Sequence, residues 1–241
     1  MVKSPVRGVL FDKDGMLFDF AATWSSVIDE TLAALSDDPV VRQAMAEATG
    51  YDPVSGRFQP GGLSVAGTLA EVAEVWARFL PETHAEDIYR VATAIEQRSA
   101  ATGALVPVVP DLKGFLAGLR GLGYVLGIAT HDSEAAARAH MAETDALDHF
   151  AFIAGYDSGH GHKPGPGMLL AFAKATGLDP AEIAMVGDSI HDLGVAPAAG
   201  AALAIGVLTG PAGHADLAPH ADHVIASIAD LPGLLDAHHR G

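Results

Sequence analysis

Short apolar runs alternate with longer helix-like stretches through most of this 241-residue chain, and this alternation is the feature that most limits the possible folds. Each run has the length and the β-branched content of a buried strand. The runs lie at residues 6–11, 124–130, 150–154, 183–186, 201–207 and 223–226, and helices are predicted at 111–122, 133–143, 167–176 and 190–199. Because strands that alternate with helices pair in parallel, we predict an α/β fold. Its core is a Rossmann-like parallel sheet with helices on both faces.

The segment between the first run and the second shows helical periodicity and almost no strand signal. Trp24, Val27, Ile28 and Thr31, for example, recur at three- and four-residue spacings. We therefore predict an inserted α-helical cap domain at residues 18–102, with an α/β catalytic core at 1–17 and 103–241. Within the cap, residues 51–62 are rich in Gly and Pro, which favours an ordered loop between helices.

Composition excludes several classes of function. The 30 acidic residues outnumber 14 Lys and Arg, and the formal net charge of −16 disfavours binding to nucleic acid and to anionic membranes. There is no cysteine, which excludes disulfides, thiolate metal sites and a thiol nucleophile. No apolar stretch is long enough for a membrane span, and the run at 8–11 is too short for a signal-peptide core. We expect a cytoplasmic protein that is a monomer or a homodimer.

Two carboxylates directly follow the first predicted strand. Asp12 and Asp14 are two residues apart in an extended segment, so both can face one site, and Gly15 permits a sharp change of direction after them. Open parallel sheets bind their ligands at the carboxyl ends of the strands. Taken alone, this pair is more typical of a polar turn that caps a strand.

Three more strand ends carry polar side chains. Asp188 follows the run at 183–186, Lys163 lies in a Gly- and Pro-rich loop after the run at 150–154, and Thr130 ends the run at 124–130 before a predicted helix N-terminus. Carboxylate oxygens without soft ligands suit Mg²⁺ better than zinc. Together these loops would supply a metal site, a nucleophile, a cation and a hydroxyl at one edge of the sheet.

The order of these motifs resembles that of the haloacid dehalogenase-like superfamily, in particular its phosphatases similar to phosphoglycolate phosphatase. The resemblance implies that Asp12 attacks phosphorus and that Asp14 serves as general acid and base. It implies Mg²⁺ at Asp12, Asp14 and Asp188, and phosphoryl binding by Thr130 and Lys163 on a small phosphorylated metabolite. Supporting roles follow for a further set of positions in the same motifs: Gly15, Ser189 and Asp192.

Three residues depart from the superfamily pattern without removing an essential group. Met16 replaces the usual Thr or Val, His131 stands beside Thr130 where Asn is common, and Lys13 lies between the two aspartates. We retain His131 as a candidate phosphate ligand. In the cap, Arg57 and Trp24 are candidate substrate contacts. An exposed arginine is an equally good interpretation of Arg57, and a tryptophan on a helical stripe such as Trp24 is more often a core residue.

Alternative functions stay open. A phosphomutase of the same superfamily would share Asp12 and Asp14 but would transfer the phosphoryl group to a second hydroxyl. A non-catalytic protein that binds a phosphorylated metabolite would be expected to lack at least one of Asp12, Asp14, Lys163 and Asp188, and all four are present. A zinc site at His160 and His162 is disfavoured because no third ligand with suitable spacing accompanies them.

Overall fold

A computed structural model describes residues 5–100 and 105–240 of the chain. In chain order the strands are β1 (Gly8–Phe11), β2 (Tyr51–Asp52), β3 (Arg57–Phe58), β4 (Val125–Ala129), β5 (Phe150–Ala154), β6 (Ile183–Gly187), β7 (Leu203–Val207) and β8 (His223–Ile225). Six of them form one sheet in the order β5-β4-β1-β6-β7-β8, and every pair in it is parallel. All six predicted runs are therefore strands of one parallel sheet, as expected.

The helices fall into two groups along the chain. Those that precede the second strand of the large sheet are α1 (Phe20–Leu35), α2 (Pro39–Ala48), α3 (Leu63–Ala66), α4 (Leu69–Trp76) and α5 (Ala85–Ala100). Those that follow are α6 (Leu112–Gly121), α7 (Glu134–Glu143), α8 (Gly167–Thr176), α9 (Ile190–Ala199), α10 (His214–Leu217) and α11 (Leu231–Arg240). The four helices predicted from periodicity match α6, α7, α8 and α9 to within one residue at each end.

Helices cover both faces of the sheet. On one face Phe11 and Val186 pack with apolar side chains of α6, α7 and α11. On the other face Leu10, Met185 and Phe172 pack with side chains of α8, α9 and α10. The central strands are buried on both faces, which explains why they read as continuous apolar runs rather than as alternating ones. This arrangement confirms the predicted α/β architecture.

The helices α1, α2, α4 and α5 share a separate apolar cluster built around Trp76, whose indole Nε1 donates to the Met45 carbonyl oxygen at 3.0 Å. Residues 51–62, predicted as a loop, instead contain the antiparallel hairpin β2–β3. The rings of Tyr51 and Phe58 lie 4.7 Å apart across it, and this aromatic pair stabilises the two short strands. The division into a core and a cap at residues 18–102 stays a prediction, and its second junction lies within 101–104, outside the described residues.

The sheet register sets the position of the polar residues at its carboxyl edge. Phe11 pairs with Ile128 on β4 and with Val186 on β6, so the three strands end at the same level. The residues that follow them, Asp12, Thr130 and Asp188, therefore meet at one edge. Among the described residues, no helix has the length and apolarity needed to cross a membrane.

Candidate active site

Lys163 links two of the predicted site carboxylates. Its Nζ lies 2.7 Å from Asp12 Oδ1 and 2.5 Å from Asp192 Oδ1, and all three side chains are almost fully buried. Burial would lower the pKa of Lys163, but the two carboxylates reverse this effect and raise it. Burial raises the pKa of the Asp12 carboxyl to about 7, although the Lys163 ammonium opposes the change. The lysine is thus a fixed cation that faces the candidate nucleophile.

Asp188 carries the feature that fits a divalent cation. Its Oδ2 atom is buried and has no hydrogen-bond partner, and oxygens of Asp12, Asp188 and Asp192 lie within 4.8 Å of one another. Burial, followed by the neighbouring Asp12 carboxylate, raises the pKa of Asp188 well above its usual range. Gly15 has a φ of +75°, and a Cβ atom there would lie 2.0 Å from Asp188 Oδ2. Only glycine allows the backbone to approach this carboxylate so closely.

The start of α9 holds Asp192 in place. The Ser189 hydroxyl donates to Asp192 Oδ2 at 2.5 Å, and the Asp192 backbone N–H donates back to Ser189 Oγ at 3.3 Å. This reciprocal cap satisfies N–H groups at the helix start. Burial would raise the pKa of Asp192, but Lys163 and the Ser189 hydrogen bond lower it. Because both of its oxygens already have partners, Asp192 orients Lys163 and is poorly suited to ligate a metal.

Thr130 and His131 lie in the loop between β4 and α7. Thr130 is buried, and its hydroxyl accepts a hydrogen bond from the Asp132 backbone N–H at 3.1 Å. His131 Nε2 accepts a hydrogen bond from the Lys163 backbone N–H at 3.1 Å, so this ring helps to fix the position of the loop that carries Lys163. Both residues line the same pocket as Asp12, Lys163 and Asp188.

Asp14 faces this pocket from the opposite side and is held by two donors. Trp24 on α1 donates its indole N–H to Asp14 Oδ1 at 2.9 Å. The Lys13 ammonium lies 2.7 Å from Asp14 Oδ2 and 5.3 Å from the centroid of the Trp24 ring. Trp24 therefore lines the pocket, which is the position expected of a substrate contact. It also donates a hydrogen bond to a candidate catalytic carboxylate.

Sequence reasoning missed the buried cluster around Lys13. Its ammonium reaches His140 Nδ1 at 3.0 Å and Asp132 Oδ2 at 3.2 Å in addition to Asp14. Asp14 and His140 form hydrogen bonds with this ammonium, and Asp132 Oδ2 contributes a nearby negative charge without a hydrogen bond, so the buried charge is compensated by two carboxylates. Burial, followed by the nearby Lys13 charge, lowers the pKa of His140 to about 4, so the ring is neutral and can accept. A charged residue inside a motif where apolar residues are frequent was the only sequence signal for this cluster.

Glu96 on α5 joins the same cluster from the helical segment. Burial and then the Asp132 carboxylate raise the pKa of Glu96 well above its usual range. A nearby contact joins the same helix to the β5–α8 loop, where the hydroxyls of Tyr89 and Tyr156 lie 2.5 Å apart. Helix α5 is thus bound to the edge of the sheet through polar groups beside the pocket.

Arg57 is not brought to this pocket, which corrects the expectation that it could reach a substrate there. It begins β3 opposite Asp52, and its side chain is exposed. The inward position in the hairpin belongs to Phe58, which packs edge-to-face against Phe20 with ring centroids 4.8 Å apart. Arg57 lines a different depression, together with Thr209 and Gly210, that shares Phe20 with the pocket. The groups of candidate metal ligands within the described residues include neither His160 nor His162.

Comparison with known proteins identifies relatives of this chain in sequence and in fold. The chain is 31% identical to a phosphoglycolate phosphatase from Yersinia pseudotuberculosis over 239 residues, which are 96% of this chain and 94% of the relative. Its fold matches a protein described as a haloacid dehalogenase-like hydrolase from Bacteroides fragilis, with a TM-score of 0.73, 21% identity and coverage of 94% and 99% of the two chains. It also matches a β-phosphoglucomutase from Clostridium difficile, with a TM-score of 0.66, 16% identity and 98% coverage of each chain.

A family model provides the remaining finding. The model described as haloacid dehalogenase-like hydrolase matches residues 6–200, which include Asp12, Asp14, Lys163 and Asp188. This range begins just before β1 and ends after α9, so it contains the whole site described above. The chain belongs to the haloacid dehalogenase-like hydrolase family.

Proposed function

We propose that this protein is a Mg²⁺-dependent phosphatase that hydrolyses a small phosphorylated metabolite through an aspartyl-phosphate on Asp12. One observation carries the proposal: the Asp12 carboxylate, placed at the end of β1, is paired with the Lys163 ammonium on one oxygen only. Asp12 lines the same pocket as Asp14 and Thr130. The relatives named phosphoglycolate phosphatase support the same activity.

In the first step the free Asp12 oxygen bonds to phosphorus, and the bond from phosphorus to the ester oxygen breaks. Asp14 gives its proton to the departing alkoxide, which leaves as an alcohol. In the second step Asp14, now ionised, takes a proton from water while that water attacks phosphorus. The Asp12–phosphorus bond breaks, phosphate leaves and Asp12 is restored. Thr130 and Lys163 bind the phosphoryl oxygens, which stabilises the charge that they carry.

The residues suited to hold Mg²⁺ are Asp12, Asp188 and the main-chain carbonyl of Asp14. The unpartnered Asp188 Oδ2 and the absence of soft ligands among these groups support this assignment. When bound, the ion would screen the repulsion between the carboxylates and the phosphoryl group. Asp192 is not included, because its two oxygens already accept hydrogen bonds from Lys163 and Ser189.

A phosphomutase is the alternative, and its fold is shared by the β-phosphoglucomutase structure. A mutase must bind a second sugar hydroxyl in line with the phospho-aspartate, which calls for polar groups on the side of the pocket formed by the helices. That side is largely apolar here, and water is the simpler acceptor. Incubation with single phosphomonoesters in ¹⁸O-labelled water distinguishes the two. Labelled phosphate supports hydrolysis, whereas an isomeric sugar phosphate formed without phosphate release contradicts it.

A further inference from the structure

The pocket beyond Asp14 is walled by aliphatic side chains from three helices. Helix α1 contributes Val27 and Ile28, α3 contributes Leu63 and Val65, and α4 contributes Leu69 and Val72. Trp24 and Phe20 add aromatic surface next to Asp14. The leaving group of a phosphoester bound to Asp12 would extend into this space, because Asp14 must reach the ester oxygen. The apolar wall is thus continuous with the candidate catalytic groups.

Two hydroxyl groups on this wall are already engaged. The Thr31 hydroxyl donates to the Val27 carbonyl oxygen at 2.7 Å, and the Ser64 hydroxyl donates to Thr49 Oγ1 at 2.9 Å. Glu96 also lines the pocket, and its buried Oε1 atom has no hydrogen-bond partner. Burial raises the pKa of Glu96 well above its usual range. The two hydroxyls and this acid supply no positive charge to a carboxylated leaving group.

Cations are missing where a carboxylated leaving group would need one. The basic residues that line the pocket within 5–100 and 105–240 are Lys163 and His131, both beside the phosphoryl site. Lys163 is occupied by Asp12 and Asp192, and Lys13 is enclosed by Asp14, Asp132 and His140. A leaving-group carboxylate would therefore be desolvated against apolar walls with no cation beside it, and such burial is strongly unfavourable.

We propose that the substrate is a phosphomonoester of an uncharged, apolar alcohol, branched alkyl or aromatic, rather than a carboxylated ester such as phosphoglycolate. This inference rests on the proposed phosphatase function and names the substrate class of that site. The cavity measures about 130 Å³. This volume also includes the space beside Asp12, Lys163 and Asp188, which favours a small alcohol.

A matched pair of substrates tests the proposal. 2-Methylpropyl phosphate and 2-phosphoglycolate place an isopropyl group and a carboxylate at the same position, and both have alkoxide leaving groups. With Mg²⁺ present, kcat/KM should be at least about tenfold higher for 2-methylpropyl phosphate, because only the carboxylate loses its hydration without gaining a partner. Equal or better turnover of 2-phosphoglycolate would overturn the proposal.

An activated ester separates this inference from the proposed function. If 4-nitrophenyl phosphate is hydrolysed but neither alkyl ester is, the phosphatase assignment stands and the substrate class is wrong. If none of the three releases phosphate, the phosphatase function itself fails.

A charge introduced into the wall should reverse the preference. Val65 is half-buried on the pocket wall, so Val65→Arg supplies a cation there. We expect kcat/KM to fall for 2-methylpropyl phosphate and to rise for 2-phosphoglycolate. Val40→Arg is the matched control, because Val40 is 74% exposed on α2 and lies outside the pocket, and its substrate preference should stay that of the unmodified protein. A parallel change in both substrates for Val65→Arg would contradict the role of this wall.

Discussion

Replacing Lys13 by Met tests how strongly the buried cluster supports Asp14. The substitution keeps a stem of similar length but removes an ammonium that is completely buried and that touches Asp14, Asp132 and His140 at 2.7–3.2 Å. Removing one partner of a buried ion pair costs about 3–5 kcal/mol, because the remaining charge is left uncompensated. Since whole domains are stable by only about 5–15 kcal/mol, this loss is large.

Urea unfolding followed by circular dichroism measures the effect on stability, and steady-state kinetics measures the effect on turnover. We expect the free energy of unfolding to fall by about 3–5 kcal/mol. Turnover should fall by about tenfold to a hundredfold, since Asp14 keeps only its hydrogen bond to Trp24. The control is Lys113→Met, whose side chain is 59% exposed and 3.6 Å from Asp145, and a surface pair of this kind is worth about 1 kcal/mol or less. Equal losses in the two variants would refute the reasoning.

Three further predictions concern the metal, the buried histidine and the hairpin. Chelation with EDTA should abolish phosphate release and added Mg²⁺ should restore it; full turnover after chelation would exclude the proposed metal dependence. His140 has a folded pKa of about 4 against 6.5 when unfolded, so the unfolded chain binds more protons between these values and stability falls as pH falls through this window. In His140→Asn, the decrease in the free energy of unfolding over this pH window should be smaller by on the order of 3 kcal/mol. Urea unfolding of the unmodified protein and of the variant at a series of pH values measures the difference, and an equal pH dependence in the two proteins would contradict the prediction. Arg57→Ala should leave KM unchanged for every ester tested, because Arg57 is exposed outside the pocket; a raised KM would return it to the site.

The fold was predictable because the central strands of the parallel sheet are buried on both faces. Val9, Leu10 and Phe11, for example, are fully buried together, and such runs are visible without knowledge of their neighbours. Asp12, Asp14, Lys163 and Asp188 were predictable as a group because motif order and the common edge of parallel strands bring them together.

The residues that were missed depend on contacts distant in sequence. Lys13 and His140 are 127 residues apart in the sequence, and no local sequence pattern predicts their contact. The hairpin escaped notice because its strands have only two residues each and are held by the Tyr51–Phe58 aromatic pair. The orientation of Arg57 follows from that pairing, which periodicity cannot give.

The central claim is that Asp12 becomes covalently phosphorylated. The most direct measurement is acid quench of the Asp14→Asn variant during turnover of 4-nitrophenyl phosphate, followed by digestion and mass spectrometry. This variant lacks the base that activates water, so the phospho-enzyme should accumulate. A phosphoryl group on Asp12, absent when Asp12→Asn is added to the same variant, is the predicted result. Release of 4-nitrophenol with no modified peptide, or with the phosphoryl group on another residue, would contradict the account.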